Sequence, residues 1–314
     1  MEGKIMLSAR DAFFNQIFQQ VTQGENIIVI TSDLGAPSLD DFRKYYPERY
    51  ISVGIAEQSL ISVAAGLSLT GVRVVAYGLN PFPITRAFDQ IRSLLAELKI
   101  PVTLCGLNAG LCSAVAGYTH MPIEDMGMVR TLSNIRLFNP SDVCMAEKLA
   151  KEVSVCAYPR YIRFDKAVKE RFYAERDLDF DRGFTTYGEP GNLCIVTFGG
   201  FVSTIRRRID KFTQEEGKIQ LIDLFSLPAE TAQLVTHLQA AKKIITIEEN
   251  VLAGGMGSYI LELLSDNQMV KPVKRLGLQF KNGYYDKFIS REYVREEQGL
   301  SEASIEKAIR EMVG

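Results

Sequence analysis

Short runs of β-branched and other apolar residues alternate with longer helical patterns along almost the whole chain of 314 residues. The runs are continuously apolar, which is typical of strands buried on both faces of a parallel sheet with helices as crossovers. The alternation therefore predicts an α/β fold with two doubly wound domains, each built on a mostly parallel sheet. The predicted strands cover 26–30, 72–78, 101–106, 134–138 and 158–164, followed by 194–200, 219–224, 243–249 and 273–278.

A charged stretch separates the two sets of predicted strands. Nine of the fourteen residues from Lys169 to Arg182 are charged and show no amphipathic stripe, as expected of a solvated linker. We therefore predict a first domain over 1–168, a linker over 169–185 and a second domain over 186–314. Helical patterns fall in both domains, at 9–22, 57–70, 85–98, 141–152, 201–215, 228–240, 255–265 and 301–313.

Composition narrows the class of protein. The chain is 46% hydrophobic and 24% charged, as in ordinary globular proteins. Its 36 basic and 38 acidic residues give a formal net charge of −2, which leaves no basic field to attract nucleic acid or membranes. No apolar run reaches the roughly 18 residues of a membrane-spanning helix, and the five cysteines form no C-x-x-C pair, which indicates reduced thiols. We expect a cytoplasmic protein whose partners include neither nucleic acid nor membrane.

Familiar nucleotide and metal motifs are absent from the sequence. It contains neither G-x-x-x-x-G-K-[ST] nor a G-x-G-x-x-G that follows a strand. The glycines from Gly254 to Gly257 lie between a predicted strand and a helix, but their spacing favours a tight turn over a dinucleotide site. The two histidines lie 117 positions apart in the sequence, so we expect no metal site made by this chain.

Glu57 opens a predicted helix directly after the extended run YISVGIA. Its carboxylate would be satisfied by the free backbone N–H groups and the dipole of the first turn. Alternatively, it is held in a dry place, ready to share a proton. The local sequence leaves both interpretations open. The helix that follows is apolar on almost every side, which predicts burial in a core or an interface.

Two further side chains, His120 and Phe82, lie in segments that suit either a structural role or a role in a functional site. His120 lies in a loop-like, glycine-containing stretch before a helix that Pro122 could start. Phe82 is bracketed by two prolines and is either a core residue or a stacking platform for a flat ring. Neither alternative is settled by the residues alone.

Taken together, these segments resemble the thiamine-diphosphate-dependent transketolase family. The matching segments are VGIAEQ at 53–58, FPITRAFDQIR at 82–92, THMPIED at 119–125, FNPSD at 138–142, IDLFSLP at 222–228 and IEENVLAGGMGS at 247–258. The resemblance implies a transketolase pyrimidine domain followed by a transketolase C-terminal domain. It also implies that Glu57 and Ile55 contact the cofactor's pyrimidine, that Phe82 stacks on it, and that His120 binds substrate oxygens and assists proton transfer.

The family's G-D-G…N segment, which holds the diphosphate and Mg²⁺, does not occur in this sequence. The chain therefore resembles the separate C-terminal subunit of a split transketolase. That resemblance implies an N-terminal-type partner subunit that holds Mg²⁺ and the diphosphate of the cofactor, in an α₂β₂ complex. The implied reaction moves a two-carbon ketol unit from a ketose donor to an aldehyde acceptor.

Several positions depart from the transketolase pattern. Ala116 and Asn108 replace an aspartate and a histidine that contact substrate in the family, and Lys166 replaces a phosphate-binding arginine, with Arg163 as the alternative. We expect sugar or sugar-phosphate substrates bound by His120, Asn108 and one of these two cations. Two alternatives stay open: a decarboxylating enzyme like the β subunit of a 2-oxoacid dehydrogenase or like deoxyxylulose-phosphate synthase, and a non-catalytic partner subunit.

Overall fold

A computed structural model describes residues 7–280, 283 and 289–314 of the chain. These residues divide into two compact units, one comprising Met1–Ala109 and Val129–Glu175, the other Gly110–Met128 and Arg176–Gly314. The division differs from the predicted domains in two respects. Residues 110–128, which we placed in the first domain, cluster with the second unit, and the predicted linker is split between the two.

Most strands of the described residues follow the predicted runs. They are β1 (Ile27–Thr31), β2 (Tyr50–Ser52), β3 (Arg73–Leu79), β4 (Val102–Leu107), β5 (Arg136–Phe138), β6 (Arg160–Phe164), β7 (Thr185–Gly188), β8 (Leu193–Thr197), β9 (Ile219–Asp223), β10 (Ser226–Leu227), β11 (Lys243–Val251) and β12 (Val273–Leu278). Within the first unit the strand order is β5-β6-β4-β3-β1-β2, and every pairing in that series is parallel.

The second unit has the strand order β12-β11-β8-β9-β7. Its pairings are parallel except that β7 runs antiparallel to β9 at the edge. Both β8 and β9 are buried along their whole length, and β8 reads as an almost continuous apolar run. The predicted fold, two doubly wound domains with mostly parallel sheets, is confirmed.

The helices of the described residues alternate with the strands. They are α1 (Ala9–Thr22), α2 (Pro37–Tyr45), α3 (Glu57–Leu69), α4 (Phe82–Thr85), α5 (Phe88–Gln90), α6 (Asp125–Val129), α7 (Val143–Lys151), α8 (Gly200–Arg206), α9 (Ile209–Glu216), α10 (Thr231–Ala240), α11 (Met256–Asp266), α12 (Arg291–Glu297) and α13 (Glu302–Val313). A π-helix covers Ile91–Glu97, directly after α5. Short 3₁₀ turns cover Pro47–Arg49, Ala114–Ala116, Tyr118–His120 and Glu175–Asp177.

The first part of the predicted linker packs on α7 instead of extending into solvent. Asp142, wholly buried, caps α7 by accepting from Met145 N at 3.1 Å. Its other oxygen accepts from the backbone N–H groups of Phe172 and Tyr173. The charges that suggested a linker are partly used in ion pairs with α7, such as Lys151 Nζ to Glu175 Oε2 at 2.6 Å. The buried carboxylate of Asp142 thus holds in place a segment whose charged composition suggests exposure to solvent.

Several short helices and strands were not predicted from the sequence patterns. The prediction did not include α2, α12, β2, β7 or β10. Only Val294 of α12 is buried, and all four residues of β7 are at least partly exposed, so neither element has an apolar stripe to reveal it. No helix in the described part of the chain combines the length and apolar character needed to cross a bilayer.

Candidate functional site

The turn that carries Phe82 is held by Asn80, a wholly buried residue at the end of β3. Asn80 Nδ2 donates to the hydroxyl of Tyr161 at 2.6 Å, and its backbone N–H donates to Leu107 O at 3.0 Å. A Cβ at Gly106 would lie 2.1 Å from Asn80 Oδ1. Only glycine therefore allows the amide of Asn80 to lie across β4 and set the start of α4 at Phe82.

Arg86 joins Glu57 to Phe82 within the first unit. Its Nη1 donates to Glu57 Oε2 at 3.1 Å, and its guanidinium carbon lies 4.1 Å from the centre of the Phe82 ring. Arg86 follows Phe82 by four residues, the spacing that places two side chains on one helix face. The Glu57 side chain is only 7% exposed, whereas that of Arg86 is half exposed. The three groups form a cluster with one carboxylate, one half-buried aromatic ring and one cation at its rim.

This cluster fits the pyrimidine end of thiamine diphosphate. A carboxylate can bond a ring nitrogen, and an aromatic face can stack on a flat heterocycle. Glu57 lies at the first position of α3, and no side chain caps that helix start, so the carboxylate is not used as an N-cap. The interpretation of Glu57 as a helix-end group alone is thereby weakened. Arg86 was not among the predicted residues, although its four-residue spacing from Phe82 was visible in the sequence.

Ile55, predicted to contact the cofactor, lies just before α3 and is 75% exposed. Apart from Gln58, the exposed residues that follow on the helix are small or apolar: Ser59, Ser62, Val63, Gly66 and Leu69. The predicted burial of this nearly all-apolar helix is therefore incomplete within the chain itself. Its open face is the kind of surface that another protein subunit covers.

The predicted substrate residues of the first unit lie in or directly after two neighbouring strands, β4 and β6. Asn108 follows β4 in a left-handed conformation with φ of 66°, which asparagine tolerates better than most residues. Arg163, within β6, is 1% exposed and donates to Asn139 Oδ1 at 3.1 Å. Lys166, after the same strand, is exposed. Of the two proposed phosphate contacts, only Lys166 reaches the surface, while Arg163 holds the Asn139 turn.

His120 lies in the second unit, at the end of the 3₁₀ turn Tyr118–His120. The ring is half-buried, and Nδ1 lies 3.0 Å from Thr119 Oγ1. Nearby, the hydroxyl of Tyr118 donates to Glu124 Oε1 at 3.0 Å. A histidine held by a neutral hydroxyl can donate or accept at its other nitrogen, as substrate binding and proton transfer require.

The glycine turn at 254–257 is a helix start filled by the chain's own carboxylate. Glu248 accepts from Met256 N and Gly257 N, both at 2.8 Å, and is wholly buried. These are the N–H groups that would otherwise bind a phosphate. The geometry agrees with a tight strand-to-helix turn and leaves no room for a dinucleotide, since a Cβ on Gly255 would lie 2.3 Å from Glu248 Oε2.

The buried cysteines of the two sheets are poor nucleophiles. Burial raises the pKa of Cys194 to about 12 and raises the pKa of the wholly buried Cys105 as well. Neither thiol is a candidate for covalent chemistry, because the thiolate is the reactive form. Over residues 7–280, 283 and 289–314, no cluster of three or more His, Cys, Asp or Glu is placed to hold a metal ion.

Comparison with known proteins places these residues in a family. Residues 6–168 match the family model "Transketolase, pyrimidine binding domain", and residues 188–293 match "Transketolase, C-terminal domain". The chain is 27% identical over 280 residues to an apulose-4-phosphate transketolase subunit of Phocaeicola vulgatus, covering 88% of this chain and 89% of that protein. It is 30% identical over 312 residues to 1-deoxy-D-xylulose-5-phosphate synthase of Listeria welshimeri, covering 95% of this chain but 47% of that enzyme.

A solved structure gives the same result. The fold matches one described as "Split gene transketolase, inactive beta4 tetramer" with a TM-score of 0.84 and 27% identity, covering 98% of both chains. The pyrimidine-binding model spans Glu57, Phe82 and His120, and the C-terminal model spans the glycine turn at 254–257. The chain belongs to the transketolase family and contains its pyrimidine-binding and C-terminal domains.

Proposed function

We propose that this chain is the catalytic C-terminal subunit of a two-chain transketolase that uses thiamine diphosphate. The enzyme would transfer a two-carbon ketol unit from a ketose donor to an aldehyde acceptor. The observation that carries the proposal is the contact of Arg86 with both Glu57 and Phe82 in a pyrimidine-binding domain. A chain that had lost catalysis would have little reason to keep a buried carboxylate paired in this way.

Each residue has a distinct role in this proposal. Thiamine diphosphate, when bound, supplies the carbanion chemistry of ketol transfer. Glu57 hydrogen-bonds the pyrimidine ring nitrogen and shares its proton there, while Phe82 stacks on the ring and Ile55 contacts it. His120 binds substrate oxygens and moves a proton at them. Lys166 attracts a substrate phosphate as a point charge.

The partner is an N-terminal-type transketolase subunit that holds Mg²⁺ and the diphosphate, in an α₂β₂ complex. Support comes from the absence of a G-D-G sequence in this chain and from the open face of α3 around Val63. The structurally similar β₄ assembly is described as inactive, which agrees with a need for a second kind of subunit. The five free cysteines suit the reducing cytoplasm that we propose as its location.

The substrate class is a phosphorylated sugar. Two relatives are named as subunits of an apulose-4-phosphate transketolase, which makes that ketose phosphate the first donor to test. Asn108, Ala116 and Lys166 stand where the transketolase pattern has other residues, so we expect a preference that differs from that of an ordinary pentose-phosphate transketolase.

A decarboxylating reaction is the second candidate. The 30% identity to a deoxyxylulose-phosphate synthase favours it, because the same two domains occur in that enzyme class. The T-H-x-x-I-E-D segment of this chain looks more like the transketolase pattern, so we rank ketol transfer first.

The decisive assay combines this chain with an N-terminal-type partner, thiamine diphosphate and Mg²⁺. Ketose phosphates, apulose-4-phosphate among them, are tested as donors with free and phosphorylated aldehydes, and pyruvate is tested separately. We expect ketol transfer without release of CO₂, reduced about 100-fold or more by Glu57→Gln. Consumption of pyruvate with release of CO₂ would instead establish the decarboxylating candidate.

A further inference from the structure

The segment that bears His120 is attached to the end of β11, about 130 residues later in the sequence. Asn250 is 1% exposed, and its Nδ2 donates to Ile123 O at 3.0 Å and to Asp125 Oδ1 at 3.2 Å. The backbone N–H of Val251 donates to the same Ile123 oxygen at 3.0 Å. These bonds fix the chain three residues after His120.

A second attachment lies at the start of the segment. Glu249, 5% exposed, accepts from Leu111 N at 3.1 Å. Gly110, with φ of 59°, makes this approach possible, because a Cβ there would lie 2.6 Å from Glu249 Oε2. The segment of Gly110–Met128 is thus fixed at both ends by consecutive residues of one strand, and His120 lies between the two attachments.

Two arginines of α12 hold Glu249 in place. Arg291 donates to its two carboxylate oxygens at 2.8 and 2.7 Å, and Arg295 adds a bond from Nε. A buried carboxylate needs such partners, because an uncompensated charge in a low-dielectric site is costly. Arg295 also lies over the ring of Phe201, with 4.6 Å between its guanidinium carbon and the ring centre. The attachment therefore extends into the body of the second unit.

We propose that Glu249 and Asn250 are positioning residues for His120, which they place through the two ends of Gly110–Met128. The inference rests on the proposed function only for the role of His120 itself. It gives the C-terminal domain a part in substrate binding and proton transfer without any direct contact with substrate. Hydrogen bonds that order a loop in advance lower the cost of holding a catalytic side chain in its working geometry.

The first test needs no activity. In the full chain, Asn250→Asp places a carboxylate against Ile123 O and Asp125 Oδ1, which turns two attractive contacts into repulsive ones. Backbone hydrogen exchange over 111–125 should become about tenfold faster, while exchange in β8 stays as in the wild type. The control is Thr197→Val, which removes another buried bond to β11, from Thr197 Oγ1 to Ile247 O at 2.7 Å, and should leave 111–125 unchanged.

A second variant guards against general loss of the fold. If exchange in β8 also rises in Asn250→Asp, the comparison is made with Glu249→Gln, which keeps the shape of the side chain but removes the charge held by Arg291 and Arg295. Faster exchange confined to 111–125 in either variant supports the proposal. Unchanged exchange over 111–125 in both variants would overturn it.

The second test uses the reconstituted enzyme. Asn250→Asp should raise the KM for the ketose donor or lower kcat by about tenfold, with the Kd for thiamine diphosphate changed less than about twofold. In a His120→Ala background the same change should have no further effect, because Asn250 acts through His120. Equal losses in the two backgrounds would contradict the proposal. If the wild-type complex lacks ketol transfer, the proposed function fails, and the exchange experiment still decides whether these residues order the segment.

Discussion

Arg86 connects the two side chains of the first unit that the transketolase motifs single out. Its guanidinium group bonds Glu57 and covers one face of Phe82. A cation in this position neutralises the buried carboxylate and restricts the ring at the same time. Neither function is available to a smaller or uncharged residue, so the arginine should matter for cofactor binding.

Arg86→Met should weaken thiamine diphosphate binding by the reconstituted complex about tenfold, since the Glu57 carboxylate loses its charge partner. Titration calorimetry with the cofactor measures the change. The matched control is Arg92→Met, which removes a cation paired with Asp89 at 3.1 Å on the same segment but largely exposed. Equal cofactor affinity in both variants would show that Arg86 has no part in the site.

The surroundings of His237 predict that the free energy of unfolding depends on pH. Desolvation and the nearby Arg182 lower its pKa below the ordinary 6.5, so the folded state favours the neutral ring. The contribution of this group to stability is full above about pH 6.5 and is lost as the pH falls from there to the lowered pKa, because over that range the unfolded chain binds a proton that the folded ring does not. When the pH is lowered from about 7.5 to about 5, the urea concentration at the midpoint of unfolding should fall more in the wild type than in His237→Gln. A constant difference between the two midpoints would contradict this account.

At the residue scale, local sequence identified Glu57 and Phe82 as notable but could not pair them with Arg86. Their contact depends on how α3 and α4 pack, which no short motif encodes. Arg163 and Lys166 were indistinguishable in sequence, because their separation into a buried and an exposed residue depends on where β6 ends. Asn250 lies 130 positions from His120, so its contact with the same segment had no local signal.

At the element scale, Asp142 combines a helix cap with an anchor for the following segment. It accepts from one N–H of α7 and from two N–H groups at 172 and 173. Asp142→Ala should lower the free energy of unfolding by about 2–4 kcal/mol, since it removes a cap and leaves buried donors unpaired. Urea denaturation of the variant and the wild type measures this loss.

The control for that change is Ser301→Ala, which removes an ordinary cap at the start of α13. This change should lower the free energy of unfolding by only about 1 kcal/mol. A loss in Asp142→Ala no larger than in Ser301→Ala would mean that the contacts with 172 and 173 add nothing to stability.

The long buried strands were predictable because continuous apolar runs are their main signal. The run at 194–200 contains most of β8, and the run at 243–249 lies within β11. The charge of the segment after β6 suggested exposure to solvent, whereas Asp142 accepts from its backbone at Phe172 and Tyr173. Residues 110–128 were assigned to the first domain by position along the chain, although their hydrogen bonds with Glu249, Asn250 and Val251 tie them to the second unit.

At the scale of the whole molecule, the open face of α3 predicts assembly with another subunit. Val63→Glu introduces a residue with a higher helix propensity than valine, but it places a charge on that face, where Val63 is 39% exposed. We expect the Kd for the partner subunit to rise at least about tenfold, because burial of an unpaired charge is unfavourable. Val270→Glu, at a valine that is 100% exposed, should leave the Kd unchanged, and similar effects of both variants would reject α3 as the interface.

The central claim is that this chain supplies the pyrimidine-binding and C-terminal parts of a transketolase that a second subunit completes. The most direct measurement is ketol transfer from apulose-4-phosphate by this chain alone, by an N-terminal-type subunit alone, and by their mixture, each with thiamine diphosphate and Mg²⁺. We predict activity in the mixture only, and its loss when Glu57 is replaced by glutamine. Turnover by this chain alone, or full activity of the Glu57→Gln mixture, would contradict the claim.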